Sequence, residues 1–235
     1  MPVWQELREE LHPKGLEIVT VALDTAGADA AGQFIDAANA THPSLIDQGH
    51  VLDEMFGVVN VPTGIWIDEN GRIVRPPEPA FPGKSMFAEM TKNLTLPPEA
   101  DPYIVRSLAQ SRKIRRPDAR AYLDALRDWA ENGSDSRFAL APDEVIARSH
   151  PRTEESARAA AHFELAQHLH RSGHAEDAVA HFREAHRLQP ENWTYKRQAW
   201  SFVHPLQRAN EVYDSDWASE VEASGAENYY PMIDL

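Results

Sequence analysis

A proline loop followed by two short apolar runs and a tight turn constrains the fold of this chain most strongly. Val61-Pro62-Thr63 leads into the run Ile65 to Asp68, and the turn Glu69-Asn70-Gly71 separates that run from Arg72 to Val74. Asn-Gly favours the left-handed backbone conformation of tight hairpin turns. The pattern therefore predicts a β-hairpin that is entered through a proline loop.

The residues before this hairpin predict alternating helices and strands. Trp4, Leu7 and Leu11 recur at helical spacing. Leu16 to Leu23 is rich in β-branched residues and predicts a buried strand. The remaining predicted elements are a helix at 29–39, a short extended piece at 42–47 and a short helix at Val51 to Phe56. This alternation is typical of the α/β class.

A dense group of prolines divides the chain. Proline stops both helix and sheet, so residues 76–102 predict a wrapping connector that carries one amphipathic helix at Met86 to Leu94. We therefore expect an α/β domain over 1–96 and an all-α domain over 97–235. Within the second, residues 159–192 resemble a tetratricopeptide (TPR) repeat, whose small, aromatic and proline positions are filled by Ala178, Phe182, Ala185 and Pro190. A single repeat must pack on its neighbours or on the first domain.

Composition excludes several functions. The 235 residues include no cysteine, which excludes disulfides, cysteine zinc sites and thiol catalysis. The net charge of −14 argues against a nucleic-acid partner. The basic patch Arg112 to Arg116 is short and precedes Pro117, so we interpret it as a solvated helix end.

The sequence predicts no membrane span and no bound metal or cofactor. No apolar run approaches the ~20 residues that cross a bilayer, and the N-terminus lacks the pattern of a signal peptide. We expect a cytoplasmic location for the chain as written, although a longer parent chain could be exported. His162, His181 and His186 are three of eleven histidines. They lack a supporting carboxylate pattern, so we interpret them as surface or packed residues.

Residues 1 to about 95 resemble the TlpA/ResA branch of thioredoxin-fold proteins. The matching segments are Glu17 to Val21, His42 to Asp47, Phe56-Gly57-Val58, Val61-Pro62-Thr63 and Asp68 to Gly71. In that family the proline is cis, and its neighbours bind an extended substrate segment by backbone hydrogen bonds. The resemblance implies that Val61, Pro62 and Thr63 form a substrate-binding groove. On the alternative interpretation, Pro62 only shapes a loop.

The chain departs from this family at its N-terminus. Met1-Pro2-Val3-Trp4 resembles the hydrophobic-proline pair that follows the family's Cys-X-X-Cys motif. The resemblance therefore implies an incomplete thioredoxin-like domain without catalytic residues or the central strand. Unpaired buried strand groups would cost about 1–3 kcal/mol each. We expect another segment or chain to fill the gap, the half-sheets to close on each other, or the domain to be partly disordered. Strand exchange in a homodimer is one form of the first outcome.

Two functional hypotheses follow from the resemblance. The chain is an N-terminally truncated thiol-disulfide oxidoreductase that is redox-inactive as written, so whether it is an enzyme is uncertain. Alternatively, it is a non-catalytic protein that binds a polypeptide substrate or partner through the groove and the TPR-like helices. We expect that the chain is a fragment, or that its start was assigned to an internal methionine of a longer protein. An in-frame selenocysteine codon in the missing motif that was read as a stop is a second explanation. A peroxiredoxin-like ancestry with a single upstream cysteine is a weaker option.

The last eight residues are unusually apolar for a free tail. They run from Asn228 to Leu235 and include two tyrosines. The segment either forms an ordered tail on the helical domain, which we favour, or docks elsewhere on its own chain and fills a gap.

Overall fold

The computed structural model describes residues 2–83, 89, 91–149 and 151–235. Most of the helix predicted at Met86 to Leu94 lies outside these residues. The first half has the predicted order of elements. These are α1 (Pro2–Leu11), β1 (Thr20–Leu23), α2 (Ala28–Ala38), β2 (Ser44–Asp47), α3 (Val51–Phe56), β3 (Thr63–Ile67) and β4 (Ile73–Pro79).

Two small sheets are formed by these strands. β1 and β2 pair in parallel with Val21 opposite Leu45, and β3 and β4 pair antiparallel with Trp66 opposite Arg75. Gly71 takes a positive φ of 75° in the predicted turn, as such a turn requires. Within the described residues each sheet has two strands, and the two sheets do not pair with each other. The half-sheets have therefore not closed on one another, and strand exchange between copies stays a prediction.

The second half is helical within the described residues. Its helices are α4 (Pro102–Lys113), α5 (Ala119–Asn132), α6 (Pro142–Arg148), α7 (Glu154–Arg171), α8 (Ala175–Leu188), α9 (Trp193–Val203), α10 (Asn210–Tyr213) and α11 (Trp217–Ser224). Side chains of Asp101, Asp118, Thr153 and Asn192 cap the N-termini of α4, α5, α7 and α9. Gly173, at a φ of 85°, separates α7 from α8. The two form a helix pair as expected, and their likeness to a TPR repeat stays a prediction.

One core surrounds Trp66 of β3. Its indole stacks on Trp129 of α5 at 4.9 Å between ring centres, and its Nε1–H donates to the Tyr122 hydroxyl over 3.2 Å. Leu7 and Leu11 of α1 complete the buried cluster. Helix α5 therefore covers the hairpin sheet, so this core combines residues from 1–96 and 97–235.

The C-terminal segment enters the same core. Ile233 and Leu235 pack against it. Arg75, which is 1% exposed, donates to the Asp234 carbonyl over 2.9 Å and to the Phe138 carbonyl over 3.1 Å, and it pairs with Glu78 at 2.6 Å. The tail thus docks on the first half of the chain, where it fills space beside the hairpin sheet. The favoured expectation of an ordered tail on the helical domain holds in part, because Tyr229 and Tyr230 belong to the core of the helices.

A buried polar network joins the loop after β1 and the start of α3 to helices α7 and α9. The Gln198 Oε1 accepts the Thr25 N–H at 3.1 Å and lies 3.2 Å from His50 Nε2. His50 Nδ1 is 2.8 Å from the Asp53 carboxylate, and the Thr25 hydroxyl donates to Gln167 Oε1 over 2.6 Å. All five side chains are buried. Because unpaired buried polar groups are costly, this network fixes the two halves in one arrangement.

The larger core lies among α7, α8 and α9. Phe163 stacks on Tyr195 at 4.0 Å between ring centres, and Phe182 packs edge-on against Phe163. Phe81 of the connector belongs to this cluster. Over the described residues, no helix is both long enough and apolar enough to cross a membrane.

Candidate binding site at the cis-proline loop

The Val61-Pro62 peptide bond is cis, as the resemblance implies. Asn60 holds the loop, because its Oδ1 accepts the Val61 N–H at 2.8 Å and its carbonyl accepts the Thr63 hydroxyl at 2.7 Å. The Pro62 carbonyl accepts the Ala80 N–H over 3.2 Å. Each polar group named here is satisfied by a neighbour, so the loop has a fixed shape before any ligand arrives.

Residues from the second half cover this loop. The Tyr230 hydroxyl donates to the Val61 carbonyl over 3.0 Å, and Asn60 Nδ2 donates to the Tyr229 carbonyl over 2.9 Å. The Trp193 N–H donates to the Val59 carbonyl over 2.6 Å. Burial raises the pKa of the Tyr230 hydroxyl well above its ordinary value, so this hydrogen-bond donor keeps its proton. The backbone groups expected to bind substrate are therefore engaged within the chain.

A cavity of about 910 Å³ opens beside the loop. Val61 and Pro62 line it together with Trp4 of α1. Most of the wall is aliphatic or aromatic, including Phe81, Ile104, Leu108, Ile114, Pro205, Leu206, Trp217, Tyr229 and Tyr230. Its volume lies within the range of about 300–1,000 Å³ that is typical of ligand sites. Thr63 is not among the lining residues; its hydroxyl holds the loop instead.

Two arginines bring positive charge to the cavity. Arg116 follows α4 and Arg197 lies on α9, and both line the wall. Each also acts to lower the pKa of the Tyr230 hydroxyl, although burial dominates. Arg116 belongs to the basic patch that we interpreted as a solvated helix end. That interpretation was wrong for Arg116, because the chain turns after Lys113 and directs this residue to the cavity.

The polar side-chain groups in the described lining of the cavity are hydroxyls, one amide, two indoles and two guanidinium groups. Its described lining contains no carboxylate, histidine or cysteine. Burial raises the pKa of the Tyr103 hydroxyl, and that hydroxyl donates to the Leu206 carbonyl over 2.7 Å. General acid–base catalysis needs a group with a pKa near the working pH. The hydroxyl, amide and guanidinium groups of the described lining can hydrogen-bond a ligand.

Sequence reasoning identified the loop and missed most of the cavity. The connector residue Phe81, the two arginines and the C-terminal tyrosines come from distant parts of the chain. Among these residues, only the tyrosines of the apolar C-terminal tail stand out in the sequence. No local spacing connects Arg116 or Arg197 to Val61, since helix packing alone brings them together.

Two histidine rings of the helical half are in contact. His162 Nδ1 on α7 lies 2.9 Å from His181 Nδ1 on α8, with the rings stacked at 5.2 Å. The described residues contain no cluster of three or more histidine, cysteine, aspartate or glutamate side chains arranged to hold a metal ion.

Partial sequence similarity relates the chain to proteins of named activity. The chain is 33% identical over 76 residues to the thiol-disulfide oxidoreductase ResA of Bacillus thuringiensis subsp. konkukian, which is 32% of this chain and 43% of that protein. It is 36% identical over 73 residues to ResA of Oceanobacillus iheyensis, or 31% of this chain and 38% of that protein. ResA of Bacillus anthracis is 35% identical to the chain over 75 residues, which is 32% of this chain and 42% of that protein.

The matched part of the chain thus spans less than half the length of these curated relatives. No family model matches the chain. No solved structure matches it either. Together with the cis-proline loop, the partial similarity supports a relationship between about one third of this chain and the thioredoxin-like thiol-disulfide oxidoreductases.

Proposed function

We propose that this chain is a polypeptide-binding protein that uses a thioredoxin-like cis-proline loop without thiol chemistry of its own. The observation that carries the proposal is the apolar cavity that Val61, Pro62 and Trp4 form with the helical half. The proposal assigns to this chain binding at the cis-proline loop. It omits disulfide exchange, because the chain has no cysteine.

The wall of the cavity fits an extended apolar segment. Apolar side chains on such a segment would be removed from water against Phe81, Leu108 and Ile114. Binding of this kind gains about 25 cal/mol for each Å² of apolar surface buried. The chain's own tail supports the choice of ligand, since Tyr229 accepts a hydrogen bond from Asn60 through its backbone carbonyl. The loop therefore already holds one polypeptide segment by its main chain.

The experiment measures binding of an unfolded polypeptide whose thiols are blocked. The probe is fluorescein-labelled, reduced and carboxymethylated ribonuclease A, followed by fluorescence anisotropy. Ile104→Trp fills the cavity from α4, and we expect it to weaken binding at least tenfold, which corresponds to about 1.4 kcal/mol. Val105→Trp is the matched control, because Val105 is the adjacent residue, is 46% exposed and does not line the cavity.

A second variant tests the same site in case Ile104→Trp does not fold. Leu206 lines the rim and is 55% exposed, so Leu206→Asp introduces a charge there without emptying a core. Leu165→Asp, at a position 42% exposed on α7, is its control. Equal binding by Leu206→Asp and Leu165→Asp, or no binding by the parent chain, would rule out the proposed site. Insulin reduction with dithiothreitol should proceed at the rate without protein.

A further inference from the structure

We propose that the cavity recognises the C-terminal carboxylate of an apolar polypeptide through Arg116 and Arg197. This inference rests on the proposed function and names the part of the polypeptide that binds. Nothing in the similarity to ResA assigns a role to either arginine, since the proposal comes from their position beside the cis-proline loop.

The first observation is that both guanidinium groups lack a carboxylate partner. Within the described residues, neither arginine forms an ion pair with an acidic side chain or with the chain's own C-terminus within 4.0 Å. The chain carries 37 acidic and 23 basic residues, so acidic partners are abundant. Two unpaired cations at one apolar cavity indicate a site for an anion.

The second observation is an unsatisfied buried donor. Within the described residues, Arg197 Nε is buried and has no hydrogen-bond partner, and the Arg116 guanidinium forms one hydrogen bond, from Nη1 to the Ile114 carbonyl at 3.3 Å. A buried polar atom without a partner costs free energy. A carboxylate would accept from the guanidinium in the two-pronged geometry that arginine provides.

The third observation is that the positive charge of the two arginines lies beside the cis-proline loop. Both arginines act on the Tyr230 hydroxyl, and that hydroxyl is hydrogen-bonded to the Val61 carbonyl at 3.0 Å. The positive end of the cavity therefore lies next to the cis-proline loop. The apolar wall of Leu108, Ile114 and Trp217 extends from there. A ligand with a terminal carboxylate and apolar side chains matches this distribution.

A peptide fits the wall better than a hydrocarbon chain. Ser107 Oγ is buried in the lining near the Tyr103 hydroxyl, and among the described residues it has no hydrogen bond of normal geometry. Gln207 also lines the cavity and offers an amide side chain. Backbone amides would pair with these groups, whereas a hydrocarbon would leave them unsatisfied.

The test compares a free carboxylate with its amide on one peptide. Fluorescein-labelled Ala-Leu-Val-Phe-Ala-Leu is prepared with a free C-terminus and with a C-terminal amide, and both are titrated against the full chain. We expect the free acid to bind at least tenfold more tightly. Arg197→Met and Arg116→Gln should each reduce this preference to less than threefold. Arg115→Met is the control, because Arg115 is exposed and does not line the cavity.

The outcomes separate this inference from the proposed function. Equal affinity for acid and amide overturns carboxylate recognition and leaves the polypeptide-binding proposal in place. Failure of both peptides and of the unfolded polypeptide overturns both proposals. Decanoate that displaces the free-acid peptide at an equal concentration overturns the choice of a peptide. A preference for the acid that survives in both arginine variants, with their helical circular dichroism intact, overturns the assigned residues.

Discussion

The Tyr230 hydroxyl donates a hydrogen bond to the carbonyl of Val61, the residue before the cis-proline, over 3.0 Å. These residues lie 169 positions apart in the chain. The contact makes the C-terminal segment part of the wall of the candidate site. It also occupies a backbone acceptor that the resemblance to thioredoxin-fold proteins assigns to a bound substrate.

Removal of this hydroxyl tests how strongly the tail is held. Tyr230→Phe should lower the free energy of unfolding by about 1 kcal/mol, because the Val61 carbonyl loses its donor in a partly buried position. Urea denaturation followed by tryptophan fluorescence measures the change. Tyr213→Phe is the control, since Tyr213 is 8% exposed like Tyr230 but its hydroxyl has no hydrogen-bond partner in the described part of the chain. Equal losses for the two variants would contradict the assigned role.

Gly64 should not tolerate a side chain. A Cβ at this position would lie 2.6 Å from the Tyr122 hydroxyl and 3.0 Å from the Ala80 Cβ. Gly64→Ala should therefore destabilise the protein by roughly 1–3 kcal/mol through overpacking. Gly32→Ala on α2 is the control: its Cβ meets only the Ala28 Cβ, at 4.0 Å, and alanine favours a helix by about 0.5–1 kcal/mol. Thermal melts of the two variants should shift in opposite directions.

The buried polar network around Gln198 should contribute much of the stability of the contact between the two halves of the chain. Gln198→Met keeps the length of the side chain but removes the acceptor shared by the Thr25 N–H and His50. Two buried groups then lose a partner, so we expect a loss of roughly 2–4 kcal/mol. Gln33→Met, at an exposed position of α2, should change stability by less than about 0.5 kcal/mol. A loss below 1 kcal/mol for Gln198→Met would contradict this role.

Burial of His186 predicts a loss of stability in acid. Burial first, and the positive charge of Lys196 second, lower the pKa of this imidazole from about 6.5 to about 4. Between these values the unfolded chain binds a proton that the folded chain does not, so stability falls as the pH falls from 6.5 to 4. The loss should reach roughly 2 kcal/mol near pH 4, allowing for partial exposure of the residue.

The comparison of variants isolates this effect from other titrating groups. Urea denaturation at pH 6.5 and at pH 4.5 should show a smaller pH-dependent loss for His186→Gln than for the parent chain, by about 1–2 kcal/mol. His168→Gln, at an exposed position on α7, should retain the parent's pH dependence. If the parent and His186→Gln lose stability equally, His186 is not the group responsible.

Local patterns predicted the order of helices and strands, although the strand predicted as buried over Leu16 to Leu23 spans only Thr20–Leu23, with Val21 36% exposed. The β-branched run before Leu23, the Asn70-Gly71 turn and the break at Gly173 act over a few residues, so the sequence reveals them. The cis-proline followed from resemblance and is present at Pro62. The position of Arg116 did not follow, because a solvated helix end and a cavity wall have the same local composition.

The sequence by itself determined the class of fold in each half, the proline loop and the absence of thiol chemistry, because short-range backbone preferences and residue identity decide these. Only the tertiary structure decided what surrounds the loop. Tyr230 reaches Val61, α5 covers Trp66, and Gln198 joins Thr25 to His50. Those contacts form because apolar surface leaves water and buried polar groups form hydrogen bonds, and the partners can lie anywhere in the chain. Contacts of this kind have no fixed spacing in the sequence.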